Sequence, residues 1–298
     1  MNSKTRSIKK YSFRKPDLTK LRELGLKVTN LKNFRESHGR LLNLLRVNVE
    51  DGILETLVQF YDPVYHCFTF PDYQLVPTLE EYAYWVGLPV SEGEPFNGLE
   101  LAPKPAAIAT ALHLKPSDIV DPHFTIKNGF QGLTAKFLYQ KASDFAKAKK
   151  TDAFESVLAL LIYGLVLFPN MDNFIDLNAI KMFLTKNPVP TLLADTYHSI
   201  HHRNSKKGGM IVCCAPLLYR WFASHLPKSV FAKASTGIAS WSQGSCLSLH
   251  RTSFGSMQVL VLKKSSAVVG NLRMCLLSAY AGELLTTQLL LCASMDTL

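Results

Sequence analysis

Apolar residues recur along this chain at helical spacing far more often than at the alternating spacing of strands. The strongest signal is DAFESVLALLIYGLVLF over residues 152–168, apolar on every side from Val157 onward. A helix with no polar face is either a membrane span or the buried centre of a fold. The apolar run from Val157 to Phe168 is too short for the roughly twenty residues that a span needs. The pattern therefore predicts a buried central helix over 152–168. Asp152 is its expected cap, Glu155 completes a capping box, and Pro169 stops it.

Other helices are predicted on both sides of that run. Leu18, Leu21 and Leu24, then Leu41, Leu42, Leu44 and Leu45, recur with helical period, and further helices are expected over 49–60, 132–149, 172–185, 190–203 and 211–226. Thr78-Leu79-Glu80-Glu81 is a capping box that opens one more, closed by Gly87. The one β signal is HCFTF and YQLV on either side of Pro71-Asp72, which predicts a small hairpin over 66–76. Lys206-Lys207-Gly208-Gly209 reads as a loop. The expected fold class is mainly α, a multi-helix globular domain around the buried central helix (152–168) with one small β-hairpin (66–76).

Composition agrees with a packed globular chain: 47% hydrophobic and 19% charged residues in 298. The first fifteen residues are basic and polar with no apolar stretch behind them, so no secretory signal is expected. Six cysteines at irregular spacing are expected to be reduced thiols. These readings place the protein in the nucleus or cytoplasm, with no membrane partner.

Charge changes the picture at one end only. Residues 1–50 hold 13 Lys and Arg against 4 Asp and Glu, which is nearly all of the net +10. A basic flexible N-terminal arm is therefore expected over 1–30. Its Lys4, Arg6, Lys9, Lys10, Arg14 and Lys15 are the candidate nucleic-acid or nuclear-import contacts. The competing reading of the same residues is a solvated terminus.

Candidate catalytic chemistry is sparse. Asp195, His198, His201 and His202 fall on one expected helix, and Asp195, His198 and His202 share a face that suits metal ligands. The rival reading, an outward solvated face, is the one adopted, since no HExxH or second ligand pair supports a metal. A deep polar pocket around these side chains would favour the metal-dependent enzyme, and an outward, solvated face the interaction module. Cys213 and Cys214 are adjacent, diverge on a helix, and are expected to be core residues. No glycine-rich phosphate loop and no nucleophile elbow occurs. No catalytic, cofactor-binding or metal residue is assigned, and no cofactor is expected.

LVQFYDPVYHCFTFPDYQLVPTLEEYAYWVGLPV over 57–90 resembles the opening of the plant mobile domain superfamily, with its PTLEE segment and GLPV turn. KFLYQKASDFAKAKKTDAFESVLALLIYGLVLFPN, FLTKNPVPTLLADTYHSIHHR and CCAPLLYRWFASHLPKS are similar to a legume-type domain of unknown function found beside transposable elements. The resemblance implies a mainly α fold, transposon-associated origin and a non-enzymatic interaction module tied to nuclear, transposon-silencing processes. Unidentified nuclear proteins would be its partners, with weak nonspecific nucleic-acid contact through the arm. The alternative is a metal-dependent enzyme using the Asp195/His198/His202 face.

The expected domain map is the arm at 1–30, a C-terminally incomplete family-like helical domain at 31–243, and an atypical tail at 244–298. In the tail the apolar residues lose any stable period. Codons for Gly244 to Phe254 exist that, read one nucleotide earlier, give the relatives' RIMSLTASDII, and the same offset restores a family-like string at the end. A frame-shifted, poorly folded tail is therefore expected.

Overall fold

The computed structural model describes residues 9–50, 52–70, 74–90, 96, 101–120 and 123–226. The tail at 244–298 and the arm residues Lys4 and Arg6 lie outside the described residues. Within them the chain is mainly α.

In chain order the elements begin with β1 (Lys10–Phe13), α1 (Thr19–Gly25), α2 (Leu31–His38), α3 (Leu41–Leu45) and α4 (Ile53–Gln59). Next come β2 (Tyr61–Asp62), β3 (Cys67–Thr69), β4 (Gln74–Leu75), α5 (Leu79–Val86) and α6 (Pro105–Ala111). Then follow β5 (Phe124–Lys127), β6 (Phe130–Thr134), α7 (Ala135–Lys147) and α8 (Thr151–Ile162), which widens into a π-helical turn over Tyr163–Leu167. The last are β7 (Phe174–Asp176), α9 (Leu177–Thr185), α10 (Val189–Ser205), β8 (Gly208–Ile211) and α11 (Ala215–Ser224).

Every residue from Val157 to Phe168 is buried, as an all-apolar helix requires. Its start differs from the expected capping box. The helix begins at Thr151, Lys150 precedes it with no side-chain cap, and Glu155 turns inward, where Asn33 Nδ2 donates to it at 3.2 Å. The expected single hairpin is also corrected. The 66–76 strands pair antiparallel, but β2 adds a third strand, and two further sheets form from β5-β6-β7 and from β1-β8.

Three predicted helices are shorter than expected because a strand takes their first residues. Thr134 ends β6 and accepts from Phe137 N at 3.4 Å to start α7. Asp176 ends β7 and accepts from Ala179 N at 2.9 Å to start α9. Ile211 ends β8, four residues before α11. β7 pairs with β6 and β8 with β1, both remote in sequence, while β6 also pairs with the adjacent β5; local periodicity could not register the remote pairings.

The arm is corrected as well. From Lys10 onward it is part of the fold: β1 runs parallel to β8, with Lys10 opposite Gly208 and Phe13 opposite Ile211, and Leu21 of α1 is fully buried. Gly208 explains why this edge can form. Its φ is +138°, and a Cβ there would sit 2.6 Å from the Lys10 carbonyl oxygen, closer than side chains tolerate.

The expected capping box on α5 is present, with Thr78 N donating to Glu81 Oε2 at 3.0 Å and Glu81 N to Thr78 Oγ1 at 3.3 Å. Glu81 does more than cap. Trp221 Nε1 of α11 donates to it at 2.9 Å, and His225 Nε2 lies 3.0 Å from its other oxygen. The PTLEE and YRWF segments thus meet on one carboxylate.

Candidate functional site

α10 is the longest helix described, and its faces are unequally used. Leu192, Leu193, Thr196, Tyr197 and Ile200 pack into the core. Asp195, His198, Ser199, His202 and Arg203 recur at helical spacing on another face, and all five line one cavity of about 250 Å³. The rest of the lining comes from the loop after the π-helical turn (Asn170, Met171), the start of α9 (Asp176, Asn178), the β5–β6 turn (Phe130) and β8 with its continuation (Met210, Val212).

Each wall has an identifiable cause. The π-helical turn places Gly164 against β7, where a Cβ would stand 2.5 Å from the Ile175 side chain. That close approach seats Ile175 and so fixes Asp176, its chain neighbour. Such turns recur at functional sites in other proteins. Arg14 holds the facing loop: its guanidinium donates to the Pro169 carbonyl at 2.9 Å and to the Asn170 carbonyl, and it pairs with Asp172 at 3.4 Å. Ser199 Oγ donates to the Val212 carbonyl at 2.6 Å and ties the end of β8 to the helix.

The solvated face expected on α10 is therefore not what forms. Asp195 is only 7% exposed. Its carboxyl is pushed up to about 7, first by burial and then by the charge of Asp176, and no hydrogen bond from a described residue offsets either effect. Asp176 differs: its oxygens accept from Asn170 Nδ2 at 2.9 Å and from Ala179 N at 2.9 Å. His198 sits one turn beyond Asp195, with its ring stacked on His202 at 6.1 Å. Burial, then the neighbouring His202 and His201, lower His198 below the ordinary imidazole range, so it is neutral at neutral pH. His201 points elsewhere, 3.3 Å from the Tyr61 hydroxyl.

Among the described residues, no three His, Cys, Asp or Glu side chains are placed to hold a metal ion, so Asp195, His198 and His202 share a cavity without forming a metal centre. Cys213 and Cys214 are buried, and burial pushes the Cys214 thiol up to about 12 and Cys213 well above its ordinary value, which leaves neither ionised for attack at neutral pH. Of the basic candidates, Lys10 and Lys15 are exposed, whereas Lys9 is half-buried with Nζ 3.3 Å from Asn204 Oδ1. Arg14 is committed to the loop wall. The arm's charges are thus not a uniform free patch.

Asn170, Asp176, Asn178, Ser199, Arg203, Phe130 and Met210 escaped the sequence reading. A local signal did exist for Asp195 itself: Leu192, Leu193, Ala194 and Tyr197 surround it, and a carboxylate so flanked has no polar neighbours to carry it into water.

The described residues thus form a mainly helical domain with three small sheets and a cavity against their longest helix. The family described as Domain of unknown function (DUF7745) matches residues 21–257, and the chain belongs to that family. The match begins inside the segment expected to be a flexible arm, in keeping with the buried Leu21. No curated protein and no solved structure matches the chain.

Proposed function

We propose that this chain is a non-enzymatic interaction module whose recognition site is the α10 cavity. Its setting would be the nuclear, transposon-silencing processes that resemblance to the plant mobile domain superfamily implies, with transposon-associated origin. One observation carries the reading: Asp195 is held buried at the cavity with no hydrogen bond from a described residue. Burying most of a carboxyl without a hydrogen-bond donor costs stability. A ligand that completes its hydrogen bonds offsets that cost. The exposed apolar Phe130 and Met210 at the same cavity suit the body of such a ligand. Lys10 and Lys15 add weak, salt-sensitive contact with nucleic acid. The burial of 157–168 supports reading that helix as the element around which the others are arranged.

The test is a fragment screen by ligand-observed NMR on the full-length chain and on Met210→Trp, which fills the cavity mouth. Fragments should bind the native chain, fail on the variant, and be recovered chemically unchanged after long incubation. Hits that bind both chains equally would sink the reading.

A second reading, an acid–base enzyme, is favoured by the proximity of Asp195 to the neutral His198 in one cavity. A carboxyl near pH 7 beside an imidazole suits proton transfer at neutral pH. Fragments consumed by the native chain but not by His198→Gln would select it. Nothing among the described residues supports the metal that an enzyme on this face was expected to need.

A further inference from the structure

The cavity joins a carboxyl interior to an apolar mouth, and the two together select a ligand class. Asp195 is more than nine-tenths buried, lines the cavity and has both oxygens without a described hydrogen-bond donor. Asp176 adds a second negative charge beside it, but its own oxygens are held by Asn170 and the α9 backbone. Of the two carboxyls the open acceptor is therefore Asp195, in a field that repels anions and attracts cations.

Other groups facing it do not change that sign. His198 is neutral at neutral pH. The Cys213 and Cys214 thiols and the buried Tyr82 phenol are all raised and uncharged. His202 lies a further turn along, its ring parallel to His198. Arg203, which carries a fixed positive charge in the same lining, joins the helix eight residues from Asp195, about 12 Å along its axis. The same lining includes the apolar side chains of Met171 and of the half-exposed Phe130 and Met210.

We propose that the cavity binds a primary alkylammonium group, its nitrogen donating to Asp195 and its carbon chain lying against Phe130, Met171 and Met210. This deepens the interaction-module reading and rests on it. Two sources present such a group: the lysine side chain of a partner protein and a free small amine. A lysine enters through the mouth with its methylenes on the apolar rim and its backbone outside. A free diamine leaves its second charge at the mouth, where Arg203 opposes it.

The probe is n-butylammonium chloride, titrated into the full-length chain by ligand-observed NMR, with n-butanol as the uncharged analogue. The amine should bind and the alcohol should bind far more weakly. Affinity should fall about fourfold for each methylene removed from the chain, the transfer worth of one CH₂. Asp195→Asn should weaken the amine on the order of tenfold or more, as loss of a charge-assisted hydrogen bond does. Met210→Ser, an exposed position that leaves the interior intact, should flatten the chain-length dependence. Should Asp195→Asn fail to fold, the alcohol comparison and the chain-length series still decide. Lysine blocked at both backbone ends outcompeting butane-1,4-diamine assigns the site to a partner's lysine, and the reverse order assigns it to a free amine. Equal binding of alcohol and amine, or amine binding indifferent to Asp195→Asn, overturns the proposal. If neutral or anionic fragments fill the cavity and amines do not, the module reading survives and this one falls.

Discussion

Replacing Asp195 by Asn should stabilise the protein at high pH. In the folded chain its carboxyl titrates at about 7 against an ordinary 3.8, first because of burial and then because of Asp176. The folded state therefore binds this proton more tightly than the unfolded state does. Stability falls as pH rises from 3.8 to about 7 and is level above that. Each pH unit in the window is worth about 1.4 kcal/mol, so an ionised Asp195 costs on the order of 4 kcal/mol at pH 8. Asn keeps the shape and loses the titration. Urea unfolding of the two full-length chains at pH 5 and pH 8 measures the difference. The variant's advantage should grow by about 3 kcal/mol between the two pH values. That is a midpoint shift of roughly 1–2 M urea for a typical slope. An advantage independent of pH, or a variant weaker than the native chain at pH 8, would refute the reasoning. It would mean that the ionised carboxylate is well paired and that nothing at the cavity awaits a ligand.

Three more outcomes follow from other residues. Burial alone would lower His225, but the Glu81 carboxylate and the Trp221 carbonyl reverse this and raise it above 6.5. The stabilisation is thus full below 6.5 and lost as pH climbs through the raised value, so Glu81→Gln should cost about 1.5–3 kcal/mol at pH 6 and visibly less at pH 9. Equal losses at both pH values in thermal melts would contradict it. Arg14→Ala should remove the clamp on the 169–172 loop and destabilise by about 1–3 kcal/mol, while Lys10→Ala leaves stability unchanged and weakens retention on a polyanionic column. An unchanged melting temperature for Arg14→Ala would return that residue to the free basic arm.

What the sequence disclosed was what lies within one helical turn or one continuous run. The box at Thr78 and Glu81 is legible because both partners sit three residues apart. The burial of 157–168 is legible because no residue there could face water. The second role of Glu81 is not, since Trp221 stands 140 residues away. Asp172-to-Thr185 periodicity hid β7 inside a helix because Phe174 and Ile175 are apolar under either period. The stripe from Asp195 to Arg203 looked like a wet surface because its residues are polar. The packing of β8 on α10 and the cavity walls supplied by Phe130 of β6 and Asp176 of β7 turn that stripe inward, and each of those strands pairs with a segment the local pattern does not name.

The pairing of β1 with β8 sets a timetable for synthesis. Lys10 leaves the ribosome first and meets Gly208 last, with almost the whole domain between them. At roughly 5–20 residues per second that interval is on the order of 10–40 s. Throughout it the strand edge of Lys10–Phe13, with Tyr11 and Phe13 apolar on its inner side, has no partner in its own chain. Lysines beside such an edge are a known guard against pairing with other chains. Lys9, Lys10 and Lys15 stand there, where their charge disfavours pairing of this edge with another chain during that interval.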